Sequence, residues 1–164
     1  MNAQEPEIRD LESRLTDDHH QSLRLWLRML SCSMMIEREI RSRLREQFSI
    51  TLPRFDLMAQ LERHPEGLRM GELSRRMMVT GGNVTGITDQ LEAEGLVMRE
   101  ADALDRRVFT VRLTEQGRHS FRRMASVHED WIQELMAGLS AEDKDQMQLM
   151  LNRLKMHLAT ATRP

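Results

Sequence analysis

The sequence predicts a mainly α fold that carries one small β-hairpin, and three observations predict it. Apolar residues recur at helical spacing over most of the chain. One stretch only, LVMREADALDRRVFTVRL, alternates apolar and polar residues as a pair of strands does. Glycine and the capping types Ser, Thr and Asp fall at the joints between these segments.

Residues 1–17 have mixed charge and little periodicity and are expected to be flexible. A long helix is expected from Asp17 or Asp18, either of which can cap it. Its apolar positions are Leu23, Trp26, Leu27, Leu30 and Met34, then Ile36, Ile40 and Leu44; the stripe shifts partway, as in a helix that serves two contacts. Pro53 suits the first turn of a second helix, with Phe55, Met58 and Leu61 buried and HPEG ending it. LRM supplies a short strand, and GELSRRM a third helix with Leu73 and Met77 inward. VTGG turns into a fourth helix, NVTGITDQLEAEG, capped by Thr80, buried along Val84, Ile87 and Leu91, and stopped by Gly95.

One strand is expected over 96–100, and Phe109, Val111 and Leu113 face inward from the other. The polar connection ADALDRR has no two-residue turn signal and predicts a longer loop. Thr114 caps a fifth helix running to about Met136. SAEDKDQM has the form of a capping box with Asp143 in place of Glu, and opens a last helix with Met147, Leu151, Leu154 and Leu158 on one face.

The middle helices and the hairpin, residues 49–113, form one compact unit. The flanking helical regions, 18–48 and 114–160, carry apolar stripes that so small a unit cannot cover. Burial against a second copy in a twofold homodimer is the economical solution.

Composition removes several classes of function. The 164 residues contain no apolar run that would span a bilayer, so no membrane partner is expected. The charged N-terminus lacks an apolar signal core, and Cys32 is the single cysteine, which fits a reducing cytoplasm. The six histidines show no tight metal spacing, no nucleophile has a neighbouring base, and Gly81-Gly82 is too short to cradle phosphates. No enzyme activity, metal or cofactor is expected. Fourteen methionines against four Phe, two Trp and no Tyr describe a helical core filled with adaptable side chains, or a pocket that can repack around ligands.

The fourth helix suits the major groove of double-stranded DNA. Its outer face, Asn83, Thr85, Gly86, Asp89 and Gln90, is slim and polar. Gly82, after Gly81, and Gly86 allow close approach; Thr80, Asn83 and Thr85 can donate to phosphates or base edges, and Gln90 lies farther along. Arg75 and Arg76 are candidates for the phosphate backbone, Arg69 and Arg99 weaker ones. An arginine at the hairpin tip, Arg106 or Arg107 beside Asp105, suits the narrow minor groove. The net charge of −2 does not announce a nucleic-acid binder, and from Arg69 to Arg112 seven arginines meet seven acidic residues. Binding must therefore come from charges sorted onto one face, with affinity falling steeply in salt.

The pieces GELSRRM, VTGGNVTGITDQLEAEGLVMRE and DRRVFTVRLTEQG, in that order and spacing within residues 52–117, resemble the MarR family of bacterial regulators. The resemblance implies a winged helix-turn-helix core, the hairpin being the wing, flanked by dimerisation helices. It implies a transcriptional repressor on a pseudo-palindromic operator. It also implies that Asp105 steadies the wing by pairing with one arginine while another reaches DNA, with the choice between Arg106 and Arg107 open. Release by a small anionic effector, aromatic or an aromatic CoA thioester, is implied in a cleft between the dimerising helices and the DNA-binding unit. Trp26, Met29, Leu30 and Met34 would line that cleft with Met58 and Leu61, and Arg28 or Arg38 would neutralise a carboxylate. Arg41, Arg43, Arg45 and Arg54 form a basic cluster that suits phosphate or remains a solvated face. Two alternatives stand beside this reading. Cys32 raises a peroxide sensor, although it lies well inside its helix in a chain without tyrosine, where a buried inert thiol is expected. The neutral charge balance leaves room for a protein-interaction module.

Overall fold

The computed structural model describes residues 20–78, 80–101 and 108–161. The expected flexible segment 1–17, the caps Asp17 and Asp18, and the wing-tip residues Asp105, Arg106 and Arg107 lie outside the described residues.

Helix α1 spans Gln21–Phe48 and ends where Ser49 turns left-handed at φ 53°. Helix α2, Leu52–Glu62, carries Pro53 in its first turn and buries Phe55, Leu57, Met58 and Leu61. Strand β1, Leu68–Arg69, leads directly into α3, Met70–Met77. Helix α4 covers Gly81–Ala93. It stops as expected: Gly95 takes φ +70°, a conformation that costs a side chain about 1–2 kcal/mol but not glycine. Strands β2, Val97–Ala101, and β3, Phe109–Leu113, follow. The antiparallel sheet has the order β1-β3-β2, with Leu68 opposite Val111 and Val97 opposite Leu113.

Three sequence expectations shift here. Leu96 is not a strand residue, because its N–H donates to the Leu91 carbonyl and closes the helix end. Phe109 is 41% exposed while Val111 and Leu113 are buried, since it starts β3 opposite Ala101, the last pair before the connecting loop. Thr88, not marked as a core residue, is fully buried on α4; its hydroxyl donates to the Val84 carbonyl at 2.7 Å, which satisfies the polar atom inside the core.

Helix α5, Glu115–Leu135, is capped by Thr114, whose Oγ1 accepts the Gly117 N–H at 2.9 Å. The chain divides inside this helix into two compact units, one ending at Ala125 and the other starting at Ser126. The early turns of α5 fall in the first of these units. Phe121 and Met124 are buried, the Phe121 ring lies 5.3 Å from that of Phe55, and Glu62 accepts from Arg118 at 3.0 Å and Arg122 at 2.9 Å.

Helix α6, Ala141–Ala161, opens on the expected capping box. The Asp143 N–H donates to Ser140 Oγ at 3.1 Å, and Asp143 Oδ2 accepts the Ser140 N–H at 2.9 Å and its hydroxyl at 2.6 Å. These bonds hold the Asp143 carboxyl below its ordinary value of 3.8. A carboxyl whose pKa is lowered by folding stabilises the folded state above its unfolded pKa, and that contribution is lost as pH falls through the lower folded value. Ser140→Ala is thus expected to lower Tm near neutral pH, with the gap to wild type narrowing as pH drops below 3.8. A gap independent of pH in thermal melts excludes the ionised cap.

The predicted apolar stripes of α1 and α6 form as helix faces but lie uncovered. Leu23, Trp26, Leu30 and Met34 on α1, and Met147, Leu151, Leu154 and Leu158 on α6, are all exposed. Ile40 and Leu44, near the end of α1, are buried, so the shift in its stripe separates a covered part from an uncovered one.

Candidate nucleic-acid interface

Helix α3 ends at Met78, which is left-handed at φ 54° and bonds back to the carbonyls of Arg75 and Ser74. After this turn Thr80 caps α4, its side-chain oxygen accepting the Asn83 N–H at 3.4 Å. Leu73 of α3 and Val84, Thr88 and Leu91 of α4 are fully buried, which fixes how α4 is rolled. The opposite face, with Gly82, Asn83, Thr85, Gly86, Asp89 and Gln90, is exposed as expected.

The glycines on this face have no internal purpose. A Cβ built on Gly81, Gly82 or Gly86 meets nothing within 4 Å. Gly86, inside the helix, costs it about 1 kcal/mol relative to alanine without a packing return inside the chain. Bare backbone of this kind leaves room for another body to approach closely. Thr85 is less available than its position suggests, because its hydroxyl already donates to the Gly81 carbonyl at 3.0 Å.

The neutral charge balance resolves into pairs. Glu72 is held by Arg76 at 2.7 and 3.0 Å, which keeps its carboxyl below the ordinary carboxylate range. Asp89 and Glu92 share Arg99, at 2.5 and 2.6 Å. Glu94 pairs with Arg54, and Glu100 with Arg112 across the hairpin. Every described carboxylate between Arg69 and Arg112 thus has an arginine partner. Arg75 is exposed on α3, whereas Arg76 is tied to Glu72. Arg99 is no phosphate candidate in this arrangement: two carboxylates occupy it and its side chain is only 20% exposed. Arg69, Arg75 and Phe109 border an open cleft of about 600 Å³ beside α3 and the base of the wing.

The proposed effector cleft is not assembled in the single chain. Trp26, Leu30, Met34 and Arg38 are exposed along α1 and Met29 is half-buried, while Met58 and Leu61 are closed in the core with no accessible surface. The basic cluster is largely spent, since Arg41 pairs with Glu37, Arg43 with Glu39 at 2.8 Å, and Arg54 with Glu94. Cys32 is exposed, contrary to the buried thiol expected, because it lies on the uncovered length of α1. The bridge of Arg99 to Asp89 and Glu92 went unseen in the sequence. Its partners sit on two different elements, α4 and β2, so no spacing rule within one helix or strand pairs them, and only the equal count of charges hints at pairing.

Among the described residues no group of His, Cys, Asp or Glu could hold a metal ion, and no helix is long and apolar enough to cross a membrane.

The family model for MarR matches residues 50–109, the stretch that holds α2, the helix-turn-helix and most of the wing. The transcriptional regulator YkoM of Bacillus subtilis is 30% identical over 89 residues, covering 54% of this chain and 58% of the relative. The transcriptional activatory protein BadR of Rhodopseudomonas palustris is 31% identical over 104 residues, 62% of this chain and 59% of the relative. The chain thus spans less than two thirds of the length of these two curated relatives. A solved MarR family transcriptional regulator from Silicibacter pomeroyi is 30% identical, with a TM-score of 0.74, covering 88% of this chain and 99% of that one.

Proposed function

We propose, because the chain belongs to the MarR family of transcriptional regulators, that it binds double-stranded DNA as a homodimer, with α4 in the major groove and the wing at the adjacent minor groove. It is not an enzyme. The observation that carries the reading is the exposed stripe of Gly82, Gly86 and small polar side chains on α4, set in open space beside carboxylates that are each engaged by an arginine. Asn83 and Gln90 offer side-chain amides to bases, and Arg75 a cation to phosphate. Arg106 and Arg107 at the wing tip supply the minor-groove contact, with Asp105 as the steadying carboxylate.

The uncovered apolar faces of α1 and α6 are the surfaces a second copy would bury. A twofold dimer presents two α4 helices, which fits a pseudo-palindromic operator. The regulator acts in the cytoplasm as a repressor, and a small anionic effector, aromatic or an aromatic CoA thioester, releases it. Trp26, Leu30 and Met34, on the face a second copy would approach, are the apolar side chains such a molecule would meet at that seam, with Arg38 on the same helix to meet its charge.

The test is binding of the full chain to duplex from its own upstream region, read by gel shift or fluorescence anisotropy from about 50 to 200 mM salt. Log affinity is expected to fall linearly with log salt, and sedimentation is expected to give a dimer. A chain that shifts no duplex at any salt in this range overturns the reading and favours the protein-interaction module.

A further inference from the structure

One charge on the face proposed to meet DNA has the wrong sign. Asp89 lies three residues beyond Gly86 and seven beyond Gly82, hence on the same stripe of α4, and its side chain is 58% exposed. A carboxylate there opposes a polyanion. Among the described residues its ion-pair partner is Arg99 on β2, which is shared. Arg99 Nη2 donates to Asp89 Oδ1 at 2.5 Å, Nη1 to Glu92 Oε2 at 2.6 Å, and the Arg99 backbone N–H to Glu92 Oε1 at 3.2 Å. Two anions against one cation leave this cluster one negative charge in excess.

We propose that Asp89 is an affinity-limiting residue of the DNA-facing helix that holds down the phosphate-driven, sequence-independent part of binding. This inference rests on the reading of α4 as the DNA-facing helix. Non-specific association is almost wholly a matter of phosphate charge, so a fixed anion in the interface weakens it at every sequence and leaves discrimination to base contacts. Glu92 makes the device separable from the fold. It engages Arg99 through both the side chain and the backbone, so β2 remains anchored to α4 when the Asp89 charge is removed.

The experiment compares wild type, Asp89→Asn and Arg99→Ala on the upstream duplex and on a scrambled duplex, each across a salt series. Asp89→Asn is expected to bind both duplexes about threefold to tenfold more tightly near 100 mM salt, with a salt slope steeper by up to about one unit. Arg99→Ala is expected to bind both more weakly. Unchanged affinity and slope in Asp89→Asn overturn the proposal. So does a loss confined to the upstream duplex, which assigns Asp89 to direct reading of a base such as the cytosine amino group. Failure of wild type to bind any duplex refutes instead the functional reading beneath it. A purely structural ion pair gives no gain of binding in any variant.

Discussion

Gly117→Ala is expected to disrupt the joint between the sheet and α5 and to cost more than about 3 kcal/mol of stability. A Cβ at this position would stand 1.8 Å from the Leu96 carbonyl oxygen and 2.7 Å from its carbon. Both obstacles are backbone, so no rotamer change relieves them. The surrounding bonds leave little room for a shift. The Thr114 N–H donates to the Leu96 oxygen at 3.1 Å, its hydroxyl donates to the Gly95 carbonyl at 2.7 Å, and Gly117 itself donates to that hydroxyl at 2.9 Å. Moving α5 away would break this set and draw Phe121 off Phe55. The expected fall in Tm is roughly 6–12 °C for a chain of this size. A melting point within about 2 °C of wild type would show that the joint opens freely.

Gly86→Leu is expected to act in opposite directions on stability and on binding. The position is exposed and a side chain meets nothing within 4 Å, so leucine removes most of the helix penalty of glycine, about 0.5–1 kcal/mol. Tm is expected to rise slightly. The same side chain fills the space through which α4 must approach a groove, and DNA affinity is expected to fall at least about 100-fold, equivalent to roughly 2.7 kcal/mol. Paired melting and anisotropy measurements check both signs on one sample. A variant that is more stable and binds DNA as tightly as wild type would remove the reason offered here for glycine at this site.

Local signals in the sequence carried most of the architecture. Thr80, Gly95 and the Ser140–Asp143 box each act within four residues, so capping chemistry is readable in one dimension. The buried face of α2 and the slim face of α4 followed from helical periodicity. Contacts between distant residues were not legible. Arg54 reaches Glu94 across 40 positions and Arg118 reaches Glu62 across 56, and no spacing rule selects those partners from a chain rich in both charges. No local signal marks the need for glycine at Gly117, because that need comes from the Leu96 carbonyl outside α5. Cys32 lies well inside α1 and is nonetheless exposed, because position within a helix does not say whether a covering surface belongs to the same molecule.

Helix α6 buries none of its 21 residues, and this makes the abundance of the protein part of its thermodynamics. An apolar flank of Met147, Leu151, Leu154 and Leu158 is quiet only while something lies on it. When that something is another copy, dilution and denaturation lie along one axis, and apparent melting temperature climbs with dose. At low dose the paired form grows as the square of total chain. A modest change in synthesis then becomes a sharper change in the genes under control, with no effector required.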